Sequence, residues 1–175
     1  VLDLIRSARS FWLSGHENPD GDCIGAQVAL YHLLRQLGKE VVILNPDPPA
    51  PSLDFAAQQT PFGAWGSGVA LPATDALVLL DCAWLSRLGS LGEAVKTRRP
   101  RHIVVLDHHV GSDQGDGDVN YVDAAAPSTG SLVYRLYQAL RQPLSRVAAE
   151  GVFLSLVSDT GWFRYGNTNP QTLAI

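Results

Sequence analysis

The chain has 175 residues, of which 46% are hydrophobic, and a formal net charge of −4. This length and composition predict one soluble domain with a full hydrophobic core. The acidic balance excludes an overall basic field of the kind that holds nucleic acid, so an anionic substrate would have to be captured locally. No run of about 18 apolar residues and no signal-like N-terminus occurs, so we predict no membrane segment.

Helical and extended patterns alternate along the first half of the chain. Apolar residues repeat with a helical period from Cys23 to Leu37, and Gly38 supplies a stop. The prolines of residues 46–51 predict an irregular surface segment. In chain order, the predicted elements are a helix over residues 2–10, a strand over 11–16, a helix over 23–37, a strand over 41–44 and a short element over 53–59.

The second half continues the same alternation. We predict strands over residues 76–81 and 102–107, a helix over 83–99, and two consecutive helices over 131–140 and 145–159. Strands separated by helices are typical of a parallel sheet. The predicted fold class is therefore α/β, with a doubly wound, mostly parallel sheet and helices on both faces.

Acidic and imidazole residues gather where these elements end. In an open parallel sheet, groups at the carboxyl ends of strands converge in one crevice. Carboxylates gathered there would repel one another unless cations neutralise them, and imidazole with oxygen ligands suits ions such as Mn²⁺. The candidate residues are His16, Asp20, Asp22, Asp81, Asp107, His108, His109 and Asp159.

Four motifs in this order resemble those of the DHH phosphoesterase family. They are HENPDGDCIGA, LLDCA, VVLDHHV and SDTGWFRYGNTNPQTL, and the resemblance extends from residue 11 to residue 172. It implies a metal-dependent phosphoesterase, nearest the branch that hydrolyses short oligonucleotides and 3′-phosphoadenosine 5′-phosphate. It also implies two Mn²⁺ ions, with Mg²⁺ or Co²⁺ as alternatives, that activate a water for attack on phosphorus.

The resemblance also implies how the candidate residues divide. One ion would be held by His16, Asp20 and Asp81. The second would be held by Asp22, Asp81, His108 and Asp159, so that Asp81 bridges the two. His109 would act as hydrogen-bond donor or general acid at the scissile phosphate, and Asp107 would orient an imidazole or a loop amide. The residues alone support only the clustering, because the two sets come from the family.

Family members of this type carry a second, C-terminal domain that grips substrate. We therefore expect residues 1–175 to be a DHH-type catalytic domain without that partner domain. The chain begins with valine and contains no methionine, which also suggests a piece of a longer protein. Alternative functions are a family II inorganic pyrophosphatase, a cyclic dinucleotide phosphodiesterase, or a metal- or nucleotide-binding domain without catalysis.

Several residues keep two interpretations. Arg164 could hold a substrate phosphate or lie free on the surface. The aromatic residues Trp162, Phe163 and Tyr165 could stack against a base or belong to the core. Residues 127–131, PSTGS, could form a phosphate cradle or an ordinary helix cap, and Asp81 could itself be a cap rather than a ligand.

The remaining predictions concern surroundings and partners. Cys23 and Cys82 belong to no CxxC motif, which favours a reducing cytoplasm and two small buried side chains over a disulfide or redox site. The expected partner is a nucleotide or a short single-stranded RNA or DNA, with no membrane. The oligomeric state stays open, with a homodimer among the options.

Overall fold

A six-stranded sheet forms the centre of the computed structural model, which describes residues 1–175. All five strand pairings are parallel, in the order β3-β2-β1-β4-β5-β6. The predicted doubly wound α/β class is confirmed. The strands are β1 (Ser10–Ser14), β2 (Glu40–Asn45), β3 (Gly63–Ala64), β4 (Ala76–Leu80), β5 (His102–Asp107) and β6 (Val119–Val122).

The strand order reverses between β1 and β4. The chain first adds strands on one side of β1 and then returns to build the other half of the sheet from β4 outward. Phe11 in β1 therefore lies beside Val41 of β2 on one side and Ala76 of β4 on the other. In folds of this kind, ligands bind outside the carboxyl ends of the strands at the reversal point.

Seven α-helices surround the sheet. No helix combines the length and hydropathy that a bilayer span requires. The helices are α1 (Leu2–Ser7), α2 (Gly21–Gln36), α3 (Asp54–Ala57), α4 (Gly89–Thr97), α5 (Thr129–Ala139), α6 (Arg146–Asp159) and α7 (Pro170–Leu173).

Each face of the sheet has its own hydrophobic core. Alternate strand residues such as Leu13 and Val78 face α1, α2, α5 and α6, whereas Trp12 and Leu77 face α4. Every residue of β4 is buried, because a parallel sheet covered on both faces has no polar side. The two cores hold the sheet rigid up to the carboxyl ends of its strands.

The predicted single helix over residues 83–99 is wrong. The segment forms a short 3₁₀ helix, Leu85–Leu88, and then α4. Gly89 joins them with φ +52°, a conformation that glycine adopts at little cost. A further correction is that α1 ends at Ser7, since Ala8 is already extended.

Helix α2 begins earlier than the apolar periodicity predicts. It starts at Gly21, with Asp20 as its N-cap residue. The cap carboxylate accepts hydrogen bonds from the amides of Asp22 and Cys23, at 3.0 and 3.1 Å. Two of the predicted metal ligands, Asp20 and Asp22, thereby belong to the rigid start of a helix rather than to a loop.

Helices α2 and α6 approach each other at two glycines. A Cβ atom on Gly25 would lie 2.4 Å from the carbonyl oxygen of Gly151 and 2.7 Å from the amide nitrogen of Ser155. Both neighbours are backbone atoms and have no rotamer into which to move. The close approach therefore requires glycine at position 25.

We expect Gly25→Ala to lower the free energy of unfolding by about 1–3 kcal/mol through overpacking, despite the higher helix propensity of alanine. Urea denaturation followed by circular dichroism measures the change. Gly66→Ala is the matched control, because a Cβ there meets nothing within 4 Å. Equal stability of the two variants would contradict the close-packing argument.

Candidate metal centre

The structure brings the predicted acidic and imidazole residues to one edge of the sheet. His16 follows β1, and Asp81 follows β4, so these two lie on either side of the reversal point. Asp107 ends β5, and Asp159 ends α6. We call the metal centre the set of His16, Asp20, Asp22, Asp81, His108 and Asp159.

The potential ligand atoms form three groups, and within each group all of them lie within 4.8 Å of one another. The first, His16 with Asp20 and Asp81, has the same members as the first predicted metal set. The second holds Asp22, His108 and Asp159, which are three of the four members of the other set. A third joins Asp81 and His108 to His109.

Asp81 lies between the two predicted sets. Its Oδ2 atom is 3.4 Å from Nε2 of His16, and its Oδ1 atom is 3.8 Å from Nε2 of His108. The two oxygens of one carboxylate therefore face different groups of ligands. This is the position that a bridging carboxylate must occupy.

The backbone of Asp81 is unusual. Its φ is +61°, in the left-handed region that costs a non-glycine residue energy and that clusters at functional sites. The amide of Asp81 donates to the carbonyl of Leu106 at 3.0 Å, which holds this conformation. Trp84, not Asp81, occupies the N-cap position of the following 3₁₀ helix, so the capping interpretation of Asp81 is wrong.

Both histidines of the metal centre direct the same nitrogen toward the carboxylates. Nδ1 of His16 lies 2.8 Å from the carbonyl oxygen of Glu17, and Nδ1 of His108 lies 3.2 Å from that of Ala126. A carbonyl accepts only, so each Nδ1 carries the proton and donates it. With a metal ion bound, this tautomer would present the Nε2 lone pair, the usual arrangement of metal-binding imidazoles.

The contacts of His108 test whether a cation fits. Its buried Nε2 lies 2.9 Å from an oxygen of Asp159, at an angle that makes no hydrogen bond. A second carboxylate oxygen, from Asp22, is 3.3 Å away. A lone pair facing carboxylate oxygens is satisfied by a shared cation, and imidazole with carboxylates suits divalent ions such as Mn²⁺. The residues present therefore fit a metal ion.

Burial makes the negative charge of the metal centre costly. It raises the pKa of Asp22 to about 6, with the charge of Asp159 as the next cause. Burial and the charges of Asp22 and Asp20 also raise the pKa of Asp81 well above its ordinary value. Burial alone would lower the pKa of His108, but the carboxylates of Asp159, Asp22 and Asp81 outweigh it and raise that pKa to about 9. Without metal, protons supply the missing positive charge.

Asp22 is fully buried and is held by the start of α5. Its Oδ2 accepts from the amide of Thr129 at 2.8 Å, and its Oδ1 accepts from the amide of Gly130 at 3.2 Å and from the hydroxyl of Ser155. The helix N-terminus that could have cradled a phosphate thus binds a carboxylate of the protein itself. The phosphate-cradle interpretation of PSTGS is wrong, and Ser128 is the N-cap residue.

Thr129 also reaches the carboxylate of Asp81. Its hydroxyl donates to Oδ1 of Asp81 at 3.1 Å, so one residue touches both buried carboxylates. Thr129 and Ser155 are parts of the site that the sequence motifs did not indicate. The helix-start pattern of PSTGS could have indicated Thr129. Ser155 lies in the middle of a hydrophobic helix pattern and carried no signal.

Asp107 and His109 form a separate pair beside the metal centre. The buried Asp107 accepts from Nδ1 of His109 at 2.8 Å, from the hydroxyl of Ser112 at 2.6 Å, and from the amides of His108 and His109. Burial acts to raise the pKa of Asp107, but these hydrogen bonds outweigh it and lower that pKa. The His109 side chain is largely exposed, and its hydrogen bond to Asp107 engages Nδ1 rather than Nε2.

Comparison with known proteins identifies the chain's family. Residues 10–156 match the family described as "DHH family, N-terminal domain". The chain belongs to the DHH family. The resemblance to this family is thereby confirmed, with the first three motifs inside the matched residues and the fourth motif after them.

Two related proteins are longer than this chain. The DHH chain is 32% identical over 176 residues to the bifunctional oligoribonuclease and PAP phosphatase NrnA of Thermus thermophilus, covering 100% of the chain and 51% of that protein. It is 32% identical to a probable manganese-dependent inorganic pyrophosphatase of Streptococcus mutans, covering 92% of the chain and 51% of that protein. The chain spans about half the length of these relatives.

A solved structure shows the same fold. The exopolyphosphatase-related protein of Bacteroides fragilis superimposes with a TM-score of 0.85 at 24% sequence identity. The match covers 98% of the DHH chain and 52% of the Bacteroides protein.

The central part of the fourth motif of the DHH chain forms turns between α6 and α7. Arg164 is exposed, and its Nε donates to the carbonyl of Gly161 at 2.9 Å. It makes no ion pair with the metal centre, so its role toward a substrate phosphate stays a prediction. Trp162 and Tyr165 are exposed as well, which rules out the core interpretation for these two side chains.

The pKa shifts predict how the metal-free protein responds to pH. Folding raises the pKa of Asp22, Asp81 and His108, so the folded state binds protons at these groups more tightly than the unfolded state does. Bound protons therefore stabilise the folded state. This contribution is lost as pH rises. We expect stability in EDTA to fall between about pH 5 and pH 9, as measured by urea denaturation. Added Mn²⁺ should reduce this slope, and stability that rises with pH would contradict the argument.

Replacing Ser155 should weaken metal binding through Asp22. We expect Ser155→Ala to lower Mn²⁺ affinity about 10–100-fold, because a hydroxyl that orients a ligand carboxylate is lost. Titration calorimetry with MnCl₂ measures the change. Ser14→Ala is the control, since the Ser14 hydroxyl is also buried but makes no hydrogen bond. Unchanged affinity in Ser155→Ala would show that Asp22 needs no such support.

Proposed function

We propose that this chain is the metal-binding catalytic domain of a Mn²⁺-dependent phosphoesterase that hydrolyses short oligonucleotides and 3′-phosphoadenosine 5′-phosphate. The observation that carries the proposal is the position of Asp81, with one carboxylate oxygen toward each group of potential ligands. The description of the Thermus relative as an oligoribonuclease and PAP phosphatase supports the substrate class. The Streptococcus relative, a probable manganese-dependent pyrophosphatase, supports the choice of Mn²⁺.

The proposed roles follow the two predicted sets. His16, Asp20 and Asp81 would hold one ion, and Asp22, Asp81, His108 and Asp159 would hold the second. When bound, two divalent ions would supply Lewis acidity toward the phosphate oxygens and toward an attacking water. The fold contributes the geometry, since hydrogen bonds from Thr129, Gly130 and Ser155 keep Asp22 in place.

His109 is proposed as the general acid. Asp107 accepts a hydrogen bond from Nδ1–H of His109 and stabilises the charged ring, which raises the pKa of His109. Nε2, which the bond to Asp107 leaves available, can then hold a proton and give it to the leaving oxygen of the substrate. Arg164 is proposed to contact a substrate phosphate through the guanidinium nitrogens that its bond to Gly161 leaves free.

We also propose that full activity needs a second domain. The curated relatives are about twice as long as this chain, and the matched part corresponds to roughly one half of each. Hydrolysis of a short RNA by the 175-residue chain should be much slower than by the whole gene product. Equal rates would contradict the two-domain proposal.

Two buried, unpaired cysteines are in keeping with a cytoplasmic enzyme.

Substitution of the bridging carboxylate tests the two-metal arrangement. We expect Asp81→Asn to lower Mn²⁺-dependent hydrolysis of 3′-phosphoadenosine 5′-phosphate more than about 100-fold, because both predicted sets lose a charged ligand. Release of inorganic phosphate measures the rate. Asp3→Asn is the control, since Asp3 is exposed and contacts only Arg6 and Ser7 in its own helix.

A substrate panel separates the competing functions. The panel contains pyrophosphate, 3′-phosphoadenosine 5′-phosphate, a dinucleotide and a cyclic dinucleotide, each with Mn²⁺. Hydrolysis of pyrophosphate alone would favour a family II pyrophosphatase, as the Streptococcus relative suggests. Hydrolysis of only the cyclic compound would favour a cyclic dinucleotide phosphodiesterase. Mn²⁺ binding without any turnover, even in the whole gene product, would favour a binding domain.

A further inference from the structure

Four buried residues beside the metal centre form one hydrogen-bonded network. Asn45, at the end of β2, and Gln27, in α2, are both fully buried and exchange two hydrogen bonds between their side-chain amides, at 2.8 and 2.9 Å. The backbone amide of Gly15 donates to Oδ1 of Asn45 at 3.1 Å, and Nε2 of Gln27 donates to Sγ of Cys23 at 3.6 Å. We call Gly15, Cys23, Gln27 and Asn45 the amide network.

The backbone of Gly15 fixes the orientation of both side-chain amides. A backbone N–H only donates, so the Asn45 atom that faces Gly15 is the oxygen. The nitrogen of Asn45 then faces the oxygen of Gln27, and the nitrogen of Gln27 has one hydrogen for Asn45 and one for the sulfur of Cys23. Because each bond depends on the orientation of the next group, the buried network holds one arrangement.

Gly15 packs directly against the start of α2 and the end of β4. A Cβ atom at this position would overlap Sγ of Cys23, in the first turn of α2, and would lie 3.1 Å from the carbonyl oxygen of Leu80, the last residue of β4. The thiol of Cys23 donates to the same carbonyl at 3.8 Å. The end of β1, the start of α2 and the end of β4 therefore meet at a place that has no room for a side chain.

Each of these three segments carries one member of the first predicted metal set. His16 directly follows Gly15, and Asp81 directly follows β4. The carboxylate of Asp20 accepts from the backbone amide of Cys23 at 3.1 Å. The spacing of His16, Asp20 and Asp81 therefore depends on how the amide network joins the three segments.

The second predicted metal set has a different support. Its fully buried member, Asp22, is held by the backbone amides of Thr129 and Gly130 and by the hydroxyl of Ser155, which belong to α5 and α6. None of these three donors forms a hydrogen bond with the amide network. Apart from Asp81, which both sets share, the two sets thus depend on separate parts of the fold.

We propose that the amide network positions the first metal set, so that Gln27 and Asn45 control the affinity of one metal site and not that of the other. The inference rests on the proposed function and deepens it, because it assigns a separate support to each ion. Gln27 and Asn45 act through Cys23 and Gly15, so both are positioning residues. Groups that orient metal ligands typically change metal affinity about 10–100-fold.

Manganese titration of proteins in which one set is disabled tests the proposal. His108→Ala removes a ligand of the second set only, and His16→Ala removes a ligand of the first set only. Electron paramagnetic resonance of free Mn²⁺ measures binding of MnCl₂ in each background. We expect Gln27→Met to weaken binding of the remaining ion about 10–100-fold in the His108→Ala protein and to leave it unchanged in the His16→Ala protein.

Gln36→Met is the matched control. Gln36 also lies in α2 and also donates to a side-chain amide, that of Gln142 at 3.1 Å, but this pair is exposed. The control variant should keep the parent affinity in both backgrounds. A loss of affinity in Gln36→Met that equals the loss in Gln27→Met would assign the effect to the helix as a whole and overturn the proposal.

A second variant, Asn45→Ala, tests whether the network acts as one unit. It should give the same selective loss, and the double variant with Gln27→Met should lose no more affinity than the weaker-binding single variant. Circular dichroism establishes that each variant is folded. If Asn45→Ala does not fold, the result for Gln27→Met decides alone.

The remaining outcomes distinguish the two proposals. Equal weakening by Gln27→Met in both backgrounds, or no weakening in either, would overturn the inference alone. A single-set protein that binds no Mn²⁺ would show that the sets are not separate, and this too would overturn the inference. If the parent protein binds fewer than two Mn²⁺ ions, the proposed two-metal function fails together with it.

Discussion

The burial of the Asp22 carboxylate is the constraint on which much of this structure depends. An ionised carboxylate without water is costly unless hydrogen bonds and cations replace its hydration. Here the start of α5 supplies two amides and α6 supplies the Ser155 hydroxyl. This requirement explains why α5 starts where it does and why residue 130 is glycine, since a Cβ there would lie 2.2 Å from the Ser155 hydroxyl. The carboxylate joins three helices into one unit.

The same constraint links the stability of the fold to the binding of protons or metal ions at these carboxylates. Donors from the protein satisfy part of the charge on Asp22 and Asp81, but His108 Nε2 still faces carboxylate oxygens without a hydrogen bond. Protons and divalent ions therefore compete for the same carboxylates and imidazole. Protons stabilise the folded chain at lower pH, and divalent ions would stabilise it at higher pH. Asp107 differs, because the donors around it satisfy its charge and lower its pKa. Burial thus raises the pKa of Asp22 and Asp81, whereas hydrogen bonds lower the pKa of Asp107.

Parts of the fold and of the site were predictable from the sequence for identifiable reasons. Strands such as Ala76–Leu80 are continuous apolar runs, and strand ends mark the ligand edge of a parallel sheet, so Asp81 and His108 could be placed in one crevice. The short edge strands β3 and β6 were missed, because two to four partly exposed residues leave no periodicity. The break at Gly89 was missed because the apolar spacing continues through it; only the fold shows its positive φ and that a Cβ there would collide with Glu17. Ser155 could not be predicted, because its partner lies 133 positions away in the chain.

The glycine contact between α2 and α6 has a consequence for ion selection. Asp22 begins one of these helices and Asp159 ends the other, so the spacing of their carboxylates is set by two backbones in contact. Contact between the two helices would limit how far these carboxylates can separate. Ca²⁺ requires oxygen distances of about 2.3–2.6 Å and Mg²⁺ about 2.0–2.1 Å. Backbone packing remote from the ligands would then act as a filter for ionic radius, which ligand chemistry alone does not provide.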